Sequence, residues 1–326
     1  MSHGGSAAQG QFESEAKGFG EDPVGAVEIA RMEIHSLETV TVTDQQFLTG
    51  AQDGLPARIG GELRLPPGTL KVPAVILVNG SAGIGANVAL WARELNGLGV
   101  AAFLVDCFTG RGICETITDQ SKLGSLNMII DAYRALELLS KHERIDVSRI
   151  AVMGFSKGGF VALYASLHRF RRMHGARGVD FAAYLPFYAP CYTTYLEDEQ
   201  VSDRPIRLFH GTADDYVSIA PTRGYVERLR HAGKDVQLTE YVGARHAFDN
   251  PLYRAPFSFS DAVTTTLCRR AERAGGVVVN LETGRPFSWS DACVRRGATV
   301  GYEPVAAAGA RKAVRAFLAT TFKLPQ

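Results

Sequence analysis

Short strand-like runs alternate with helical segments along most of the chain. Two β-rich segments come first, Glu38–Val42 and Arg58–Leu65, and a Pro-Pro-Gly turn ends the second. Val72–Asn79 and Val100–Asp106 are then nearly continuous apolar runs, which is typical of strands buried on both faces of a parallel sheet. Further strands are predicted at Arg149–Phe155, Phe181–Tyr188, Ile206–His210 and Val236–Tyr241.

Helices are predicted between these strands and near the end of the chain. They are Asn87–Leu98, Ser121–His142, Lys157–Phe170, Pro221–Ala232 and Ala306–Thr321. Strands that alternate with helices at this spacing indicate βαβ units. We therefore expect an α/β fold with a mostly parallel, doubly wound sheet covered by helices, and the first two strands as an antiparallel edge. Ligands bind such a sheet at the carboxyl ends of its strands.

The chain has 326 residues, and we expect one α/β domain over residues 36–326. Residues 1–35 are rich in Gly, Ser, Ala and acidic residues and are predicted to be a flexible N-terminal segment. No large insertion that could form a cap domain lies between the predicted strands Phe181–Tyr188 and Ile206–His210. Residues 250–300, between the last predicted strand and the C-terminal helix, form an additional region, the insertion. Its aromatic side chains either wall the site or, as the plainer interpretation, make an exposed apolar patch or a partner surface: Phe257, Phe259, Phe287 and Trp289.

Charge and composition exclude several classes of function. The chain has 35 basic and 34 acidic residues, a net charge of +1, which leaves no electrostatic footprint for nucleic acid. No basic cluster indicates a membrane surface, no run of eighteen apolar residues predicts a membrane span, and the first residues do not resemble a secretory signal. We expect a cytoplasmic protein, with an exported mature form as the alternative. The sequence does not predict an oligomeric state.

The five cysteines contain no CxxC pair, so a zinc ribbon or a redox motif is not expected, and no HExxH motif indicates a metal enzyme. Cys268 and Cys293 lie close enough in the sequence to form a disulfide, and free buried thiols are an equally good interpretation.

A candidate nucleophile lies between a predicted strand and a predicted helix, in the segment Gly154–Gly159. Its Ser156 has glycines two positions before and two positions after it. A nucleophilic serine at a sharp strand-to-helix turn needs small residues at those positions. The alternative interpretation of Ser156 is a helix N-cap serine.

An acid and a histidine follow two later strands. Asp214 and Asp215 come after the strand that ends at His210, and His246 comes after the strand that ends at Tyr241. We favour Asp214 as the residue that orients His246, while Asp215 serves the turn and His210 supports the acid loop. The order Ser156, Asp214, His246 is that of the catalytic triad in α/β-hydrolases.

Two backbone N–H groups should bind the oxyanion of such a site. We assign them to Lys157, the residue after the nucleophile, and to Ser81, in the glycine-rich loop after the strand Val72–Asn79. This chemistry predicts hydrolysis of a small-molecule ester or lactone through an acyl-enzyme. No cofactor and no metal are expected.

These motifs together resemble the dienelactone hydrolase family of the α/β-hydrolase fold. The matching segments are Val75–Gly85, Phe103–Gly112, Gly154–Gly159, His210–Asp215 and Gly243–Phe248, and they fall within about residues 70–250. The namesake enzymes use a cysteine nucleophile, so this chain looks like the serine branch of the family. The resemblance places Arg111 in a loop that faces the site. Arg111 could hold a substrate carboxylate, and the alternative is an ion pair with Asp106 or another nearby acid.

Two other classes of function compete with the hydrolase. The glycine-rich turn Gly80–Gly85, followed by Asp106 at the end of the next strand, is compatible with an NAD(P)-binding oxidoreductase. A hydrolase fold that only binds a ligand is the second alternative, because fold does not determine function. Neither alternative explains why the serine, acid and histidine follow three strands in this order.

Overall fold

The computed structural model describes residues 31–325. Its strands are β1 (Arg31–Thr41), β2 (Leu55–Leu65), β3 (Val72–Val78), β4 (Ala101–Asp106), β5 (Ile145–Phe155), β6 (Ala183–Phe187), β7 (Thr193–Thr194), β8 (Ile206–Gly211), β9 (Val236–Tyr241), β10 (Phe257–Thr264), β11 (Arg270–Arg273), β12 (Val277–Asn280) and β13 (Arg295–Val300). Its helices are α1 (Asp44–Thr49), α2 (Ala86–Gly97), α3 (Ser125–Ser140), α4 (Lys157–Tyr164), α5 (His168–His174), α6 (Ile219–His231) and α7 (Pro304–Phe322).

The main sheet has eight strands in the order β1-β2-β4-β3-β5-β6-β8-β9. β1 pairs antiparallel with β2, and β2 pairs antiparallel with β4. The remaining neighbours in this order, β4, β3, β5, β6, β8 and β9, pair in parallel. The predicted α/β-hydrolase architecture is confirmed, including the antiparallel edge made by the first two strands. The parallel strands end at one edge of the sheet, which brings the loops after β3, β5, β8 and β9 together.

The sheet is buried on both faces, as the apolar runs predicted. Ile76 and Val78 of β3 pack into a core with α3, α4 and α6, while Val75 and Leu77 pack on the other face with α2 and α7. Successive side chains of a strand point to opposite faces, so a strand in this position needs apolar residues at every position.

Three predicted boundaries were wrong. Residues 31–35, which we assigned to the flexible segment, belong to β1, and residues 1–30 lie outside the described residues. The helix predicted from Ser121 begins at Ser125, after a short 3₁₀ turn at Gln120–Lys122. The helix predicted at Lys157–Phe170 is divided into α4 and α5, because Ser166 accepts a 2.7 Å hydrogen bond from the backbone N–H of Ser202 and the intervening segment pairs with that loop.

The insertion at residues 250–300 folds into two small sheets. β10 pairs with β13, and β12, β11 and β7 form the second sheet. A disulfide joins Cys268 to Cys293, with their Cα atoms 5.0 Å apart, which answers the question that the sequence left open. Among residues 31–325, no helix is long and apolar enough to cross a membrane.

Candidate active site

Ser156 lies on the turn between β5 and α4 in a strained backbone conformation, with φ at +55°. Non-glycine residues rarely adopt positive φ, and such strain is typical of functional turns. The flanking glycines are required by close backbone contacts. A Cβ on Gly154 would lie 2.0 Å from the carbonyl oxygen of Gly158, and a Cβ on Gly158 would lie 2.2 Å from the carbonyl oxygen of Val78. The pattern that predicted a nucleophile turn therefore has a direct steric cause.

Asp214 and His246 meet across the loops that follow β8 and β9. Nδ1 of His246 lies 2.8 Å from Oδ2 of Asp214, and both side chains are buried. The other carboxylate oxygen of Asp214 accepts hydrogen bonds from the backbone N–H groups of Tyr216 and Val217, at 3.0 and 2.7 Å. These contacts fix the position of the carboxylate, and the carboxylate in turn orients the histidine ring so that Nδ1 faces Asp214.

The pKa of Asp214 is controlled by opposing effects. Burial raises it, but the charge of His246 and hydrogen bonds from His210 and His246 outweigh burial and lower the pKa to about 2. The carboxylate is therefore ionised at neutral pH. Nε2 of His210 also lies 2.8 Å from the carbonyl oxygen of Val217, so this histidine supports the acid loop, as the sequence suggested.

Asp215, the neighbouring acid, has a different partner. Its Oδ1 accepts a 2.8 Å hydrogen bond from the backbone N–H of Thr299 at the end of the insertion. It therefore anchors β13 to the acid loop, whereas the hydrogen bond to the ring of His246 comes from Asp214. This division of partners supports the choice of Asp214 as the orienting acid.

Ser156 and His246 line a common cavity of about 240 Å³, whose walls are mainly apolar. The ring of His246 packs between Tyr188 and Tyr216, with ring centroids 4.6 and 4.9 Å away. Phe259 of the insertion closes one side of this cavity. The remaining apolar lining comes from Ile117, Phe155, Leu252, Tyr253 and Val300.

A second, more polar cavity of about 110 Å³ also reaches Ser156. Ser81, Lys157 and Tyr216 line it, and Trp289 of the insertion forms part of its wall. Of the four aromatic residues of the insertion, Phe259 and Trp289 thus line cavities that reach Ser156. Phe257 is 53% exposed and belongs to neither cavity.

The two predicted oxyanion donors lie beside the nucleophile. Lys157 is the first residue of α4, so its backbone N–H has no acceptor within the helix. Ser81 lines both cavities with Ser156, and the loop before it lies against the nucleophile turn, since a Cβ on Gly80 would be 3.0 Å from the carbonyl oxygen of Phe155. The glycine-rich loop therefore lies where an oxyanion loop is needed.

Sequence reasoning missed Gln120, which contacts three residues of the site. Its amide nitrogen lies 3.0 Å from the hydroxyl of Ser81 and 3.4 Å from that of Tyr216. Its amide oxygen accepts a 3.1 Å hydrogen bond from Nζ of Lys157. Gln120 lies in a 3₁₀ turn outside every motif, so nothing in the sequence pattern indicated this role.

Arg111 forms an ion pair with a nearby acid, which was the alternative to binding a substrate carboxylate, and that acid is Asp131. Its guanidinium lines neither of the two cavities that reach Ser156. Its guanidinium forms a bidentate ion pair with Asp131 of α3, at 2.7 and 2.9 Å. The other N–H groups donate to the hydroxyl of Thr41 and to the carbonyl oxygens of Cys107 and Val40. Arginine has five N–H donors, and all five have acceptors here.

One cluster outside the site has side chains of the kind that bind metals. Oε2 of Glu33 lies 3.0 Å from Nε2 of His35 and 3.1 Å from Nε2 of His142. The backbone N–H of Arg144, however, donates to Nδ1 of His142, so the proton of the neutral ring is on Nε2 and is directed at Glu33. The contact between His142 and Glu33 is therefore a hydrogen bond, and hydrogen bonding explains why these three side chains lie together.

Comparison with solved structures places the fold among dienelactone hydrolase-like proteins. A dienelactone hydrolase-like promiscuous phosphotriesterase from metagenomic libraries, P91, aligns with 89% of this chain and 99% of its own, with a TM-score of 0.59 and 19% identity. A structure named m3DLH aligns over the same shares of the two chains, with a TM-score of 0.58 and 22% identity. At this identity the likeness shows the fold.

Relatives found by sequence agree with that placement. A protein of Bradyrhizobium named as a probable 2-oxo-3-(5-oxofuran-2-ylidene)propanoate lactonase is 27% identical over 227 residues, which are 61% of this chain and 85% of that protein. A protein of Mycobacterium tuberculosis is 30% identical over 136 residues, or 46% of its length. The family model of the dienelactone hydrolase family matches residues 59–273, which is more than half of the chain. The chain therefore belongs to the dienelactone hydrolase family.

Proposed function

We propose that this protein hydrolyses carboxylic esters or lactones through an acyl-enzyme on Ser156. His246 acts as the general base and acid, Asp214 orients it, and the backbone N–H groups of Lys157 and Ser81 bind the oxyanion. The observation that carries the proposal is the 2.8 Å contact between Asp214 and Nδ1 of His246, in a site whose cavity also contains the strained Ser156.

In the proposed first step, Oγ of Ser156 attacks the carbonyl carbon while Nε2 of His246 takes its proton. The carbonyl π electrons move to the oxygen, which becomes the oxyanion. When the tetrahedral intermediate collapses, the bond to the alcohol oxygen breaks and His246 returns the proton to that oxygen. Water then attacks the acyl-enzyme by the same route, giving its proton to His246 and finally restoring Ser156. No cofactor takes part in this sequence.

The size and polarity of the cavity support small, apolar substrates. A volume of about 240 Å³ is below the usual range for drug-sized ligands, about 300–1,000 Å³. Tyr188, Tyr216 and Phe259 give it aromatic walls with little polar surface. Short-chain esters and small lactones fit this description better than long acyl chains, so we rank them first as substrates.

Labelling with a fluorophosphonate, followed by mass spectrometry of the tagged peptide, tests the proposal. We expect a tag on Ser156 of the wild type, no tag on Ser156→Ala, and hydrolysis of p-nitrophenyl acetate and γ-butyrolactone by the wild type alone. Ser81→Ala is the matched control, because it removes a hydroxyl from the same cavity and keeps the backbone N–H. It should still be tagged at Ser156.

A folded wild type that takes no tag and hydrolyses no ester would contradict the proposal. In that case the ligand-binding and NAD(P)-binding alternatives become the hypotheses to test, by titration with nucleotides. A tag that persists in Ser156→Ala would place the activated nucleophile elsewhere.

The disulfide between Cys268 and Cys293 favours an oxidising compartment over the cytoplasm that we expected from the sequence. Disulfides persist in such compartments and are rare in the cytosol. Counting thiols in protein purified from its native cells, with and without reduction, would test this proposal.

A further inference from the structure

The side chain of Lys157 is buried beside the nucleophile, with only 4% of the residue exposed. Its Nζ donates to the hydroxyl of Thr116 at 3.3 Å and to the backbone and side-chain oxygens of Gln120 at 3.3 and 3.1 Å. Over residues 31–325, no carboxylate lies within ion-pair distance of this ammonium. The charges of Asp44 and Asp119 stabilise the ammonium from beyond that distance. Lysine is rarely buried without a direct charged partner.

Gln120 connects this ammonium to both halves of the catalytic site. Its side-chain amide joins the hydroxyl of Ser81, in the oxyanion loop, and the hydroxyl of Tyr216. Tyr216 in turn packs against the ring of His246. The hydroxyl of Ser81 lies 3.0 Å from the amide nitrogen and 3.2 Å from the amide oxygen, so it contacts both ends of the amide. An ammonium that donates to the amide oxygen holds Gln120 in this orientation, with the NH₂ end free to donate to Ser81 and Tyr216.

We propose that the side chain of Lys157 is a positioning residue of the hydrolase, which in its ammonium form holds Gln120, and through it Ser81 and Tyr216, and adds a positive charge beside the oxyanion. This inference rests on the proposed function and deepens it. The sequence interpretation used only the backbone N–H of Lys157, whereas the structure gives its side chain a separate role. Hydrogen bonds from charged donors are stronger than those from neutral ones, and they strengthen further in a buried site.

The role depends on pH because the ammonium is costly in this environment. Burial lowers the pKa of Lys157 to about 7, an effect that nearby negative charge only partly offsets. Below this pKa, Lys157 donates its hydrogen bonds to Gln120 and Thr116 as a charged ammonium. Above it, the neutral amine forms weaker hydrogen bonds with the same partners. Activity should therefore fall on the alkaline side of neutrality. The other titratable groups that face Lys157 or its cavity are Asp44, Cys107, Asp119, Tyr192, Tyr195, Tyr216 and Arg270.

The experiment measures kcat/KM for p-nitrophenyl acetate and the rate of fluorophosphonate labelling of Ser156 from pH 5 to 10. The variants are Lys157→Arg, which stays charged over this range, and Lys157→Met, which has no charge. Lys122→Met is the matched control, since Lys122 lies in the same 3₁₀ turn as Gln120 but is exposed and pairs with the half-buried Glu115. Thermal unfolding checks that each variant is folded.

We expect kcat/KM to fall above about pH 7 in the wild type and in Lys122→Met, which is the alkaline limb of the pH profile. Lys157→Arg should keep its activity to higher pH, and Lys157→Met should lose about 10- to 100-fold in kcat with little change in KM and have no alkaline limb. A merely structural lysine would not move this limb.

Two results would overturn the proposal, and they are distinguishable. If the wild type is labelled but Lys157→Arg and Lys157→Met retain its alkaline limb, Lys157 is not the group that titrates. The positioning role is then refuted, and the proposed hydrolase activity stands. If the wild type is labelled at no pH, the hydrolase itself is refuted and the role of Lys157 falls with it.

Discussion

Replacing Arg111 with methionine should destabilise the protein strongly without weakening substrate binding. The guanidinium and the carboxylate of Asp131 are nearly inaccessible to solvent, at 5% and 0% exposed side chain. Removing one partner of a buried pair leaves an uncompensated charge and costs about 3–5 kcal/mol. At about 2–4 °C per kcal/mol for a large domain, Tm should fall by about 10 °C.

Two variants separate the cost of leaving one buried charge unpaired from the cost of removing the ion pair altogether. Arg111→Met leaves the carboxylate of Asp131 unpaired, whereas the double variant Arg111→Met/Asp131→Leu removes both charges and should recover much of the stability. Urea unfolding gives the free energies. In parallel, KM is measured for a neutral methyl ester and for a monomethyl ester that carries a free carboxylate, and the ratio of the two values should match that of the wild type.

The opposite pattern would refute this reasoning. If Arg111→Met kept its stability but raised KM for the charged ester alone, the guanidinium would be binding substrate and its ion pair with Asp131 would be broken in solution. The double variant would then show the same rise in KM and no change in stability.

Three further predictions follow from the site and its insertion. Asp214→Asn should lower kcat by up to about 10⁴-fold, because it disturbs the tautomer of His246. Asp215→Asn can still accept the hydrogen bond from the N–H of Thr299, so it should change kcat less than about threefold. Steady-state kinetics compares the two variants. Replacing Cys268 and Cys293 with serine opens a loop of 25 residues and should cost about 3.5 kcal/mol in the free energy of unfolding, measured with urea; an unchanged midpoint would contradict this. Gly158→Ala should give little folded protein by circular dichroism, because its Cβ would meet the backbone oxygen atoms of Val78 and Asn79 at 2.2 and 2.6 Å. A normal spectrum would show that the turn can move.

The parts of the site that the sequence predicted are those placed by the sheet. Ser156, Asp214 and His246 each follow a strand of the parallel sheet, and the carboxyl ends of parallel strands share one edge. Their meeting therefore follows from strand order, and no detailed packing is needed to predict it. The glycines around Ser156 add a steric requirement that can be read from the residues alone.

The parts that the sequence did not predict depend on side chains of unrelated segments. Arg111 follows β4, as expected, but its partner Asp131 lies on α3, and only the packing of that helix shows which way the guanidinium turns. Gln120 is similar, since its role comes from contacts with loops 39 and 96 residues away in the sequence. Loop side chains have no periodicity from which such contacts could be inferred.

The insertion is coupled to the loops that carry Asp215 and His246 through its backbone. The N–H of Thr299 binds Asp215, and the N–H of Gly301 donates to the carbonyl oxygen of His246 at 3.1 Å. The hydroxyl of Thr264, at the end of β10, also donates to the carbonyl oxygen of Tyr216 at 2.8 Å. The insertion thus supports the acid loop and the histidine loop while its side chains line the cavities beside Ser156. Because the same segment does both, we expect changes that reshape the cavity through the β10–β13 sheet to alter the orientation of His246 as well. In the proposed hydrolase, such changes should therefore shift substrate specificity and turnover together.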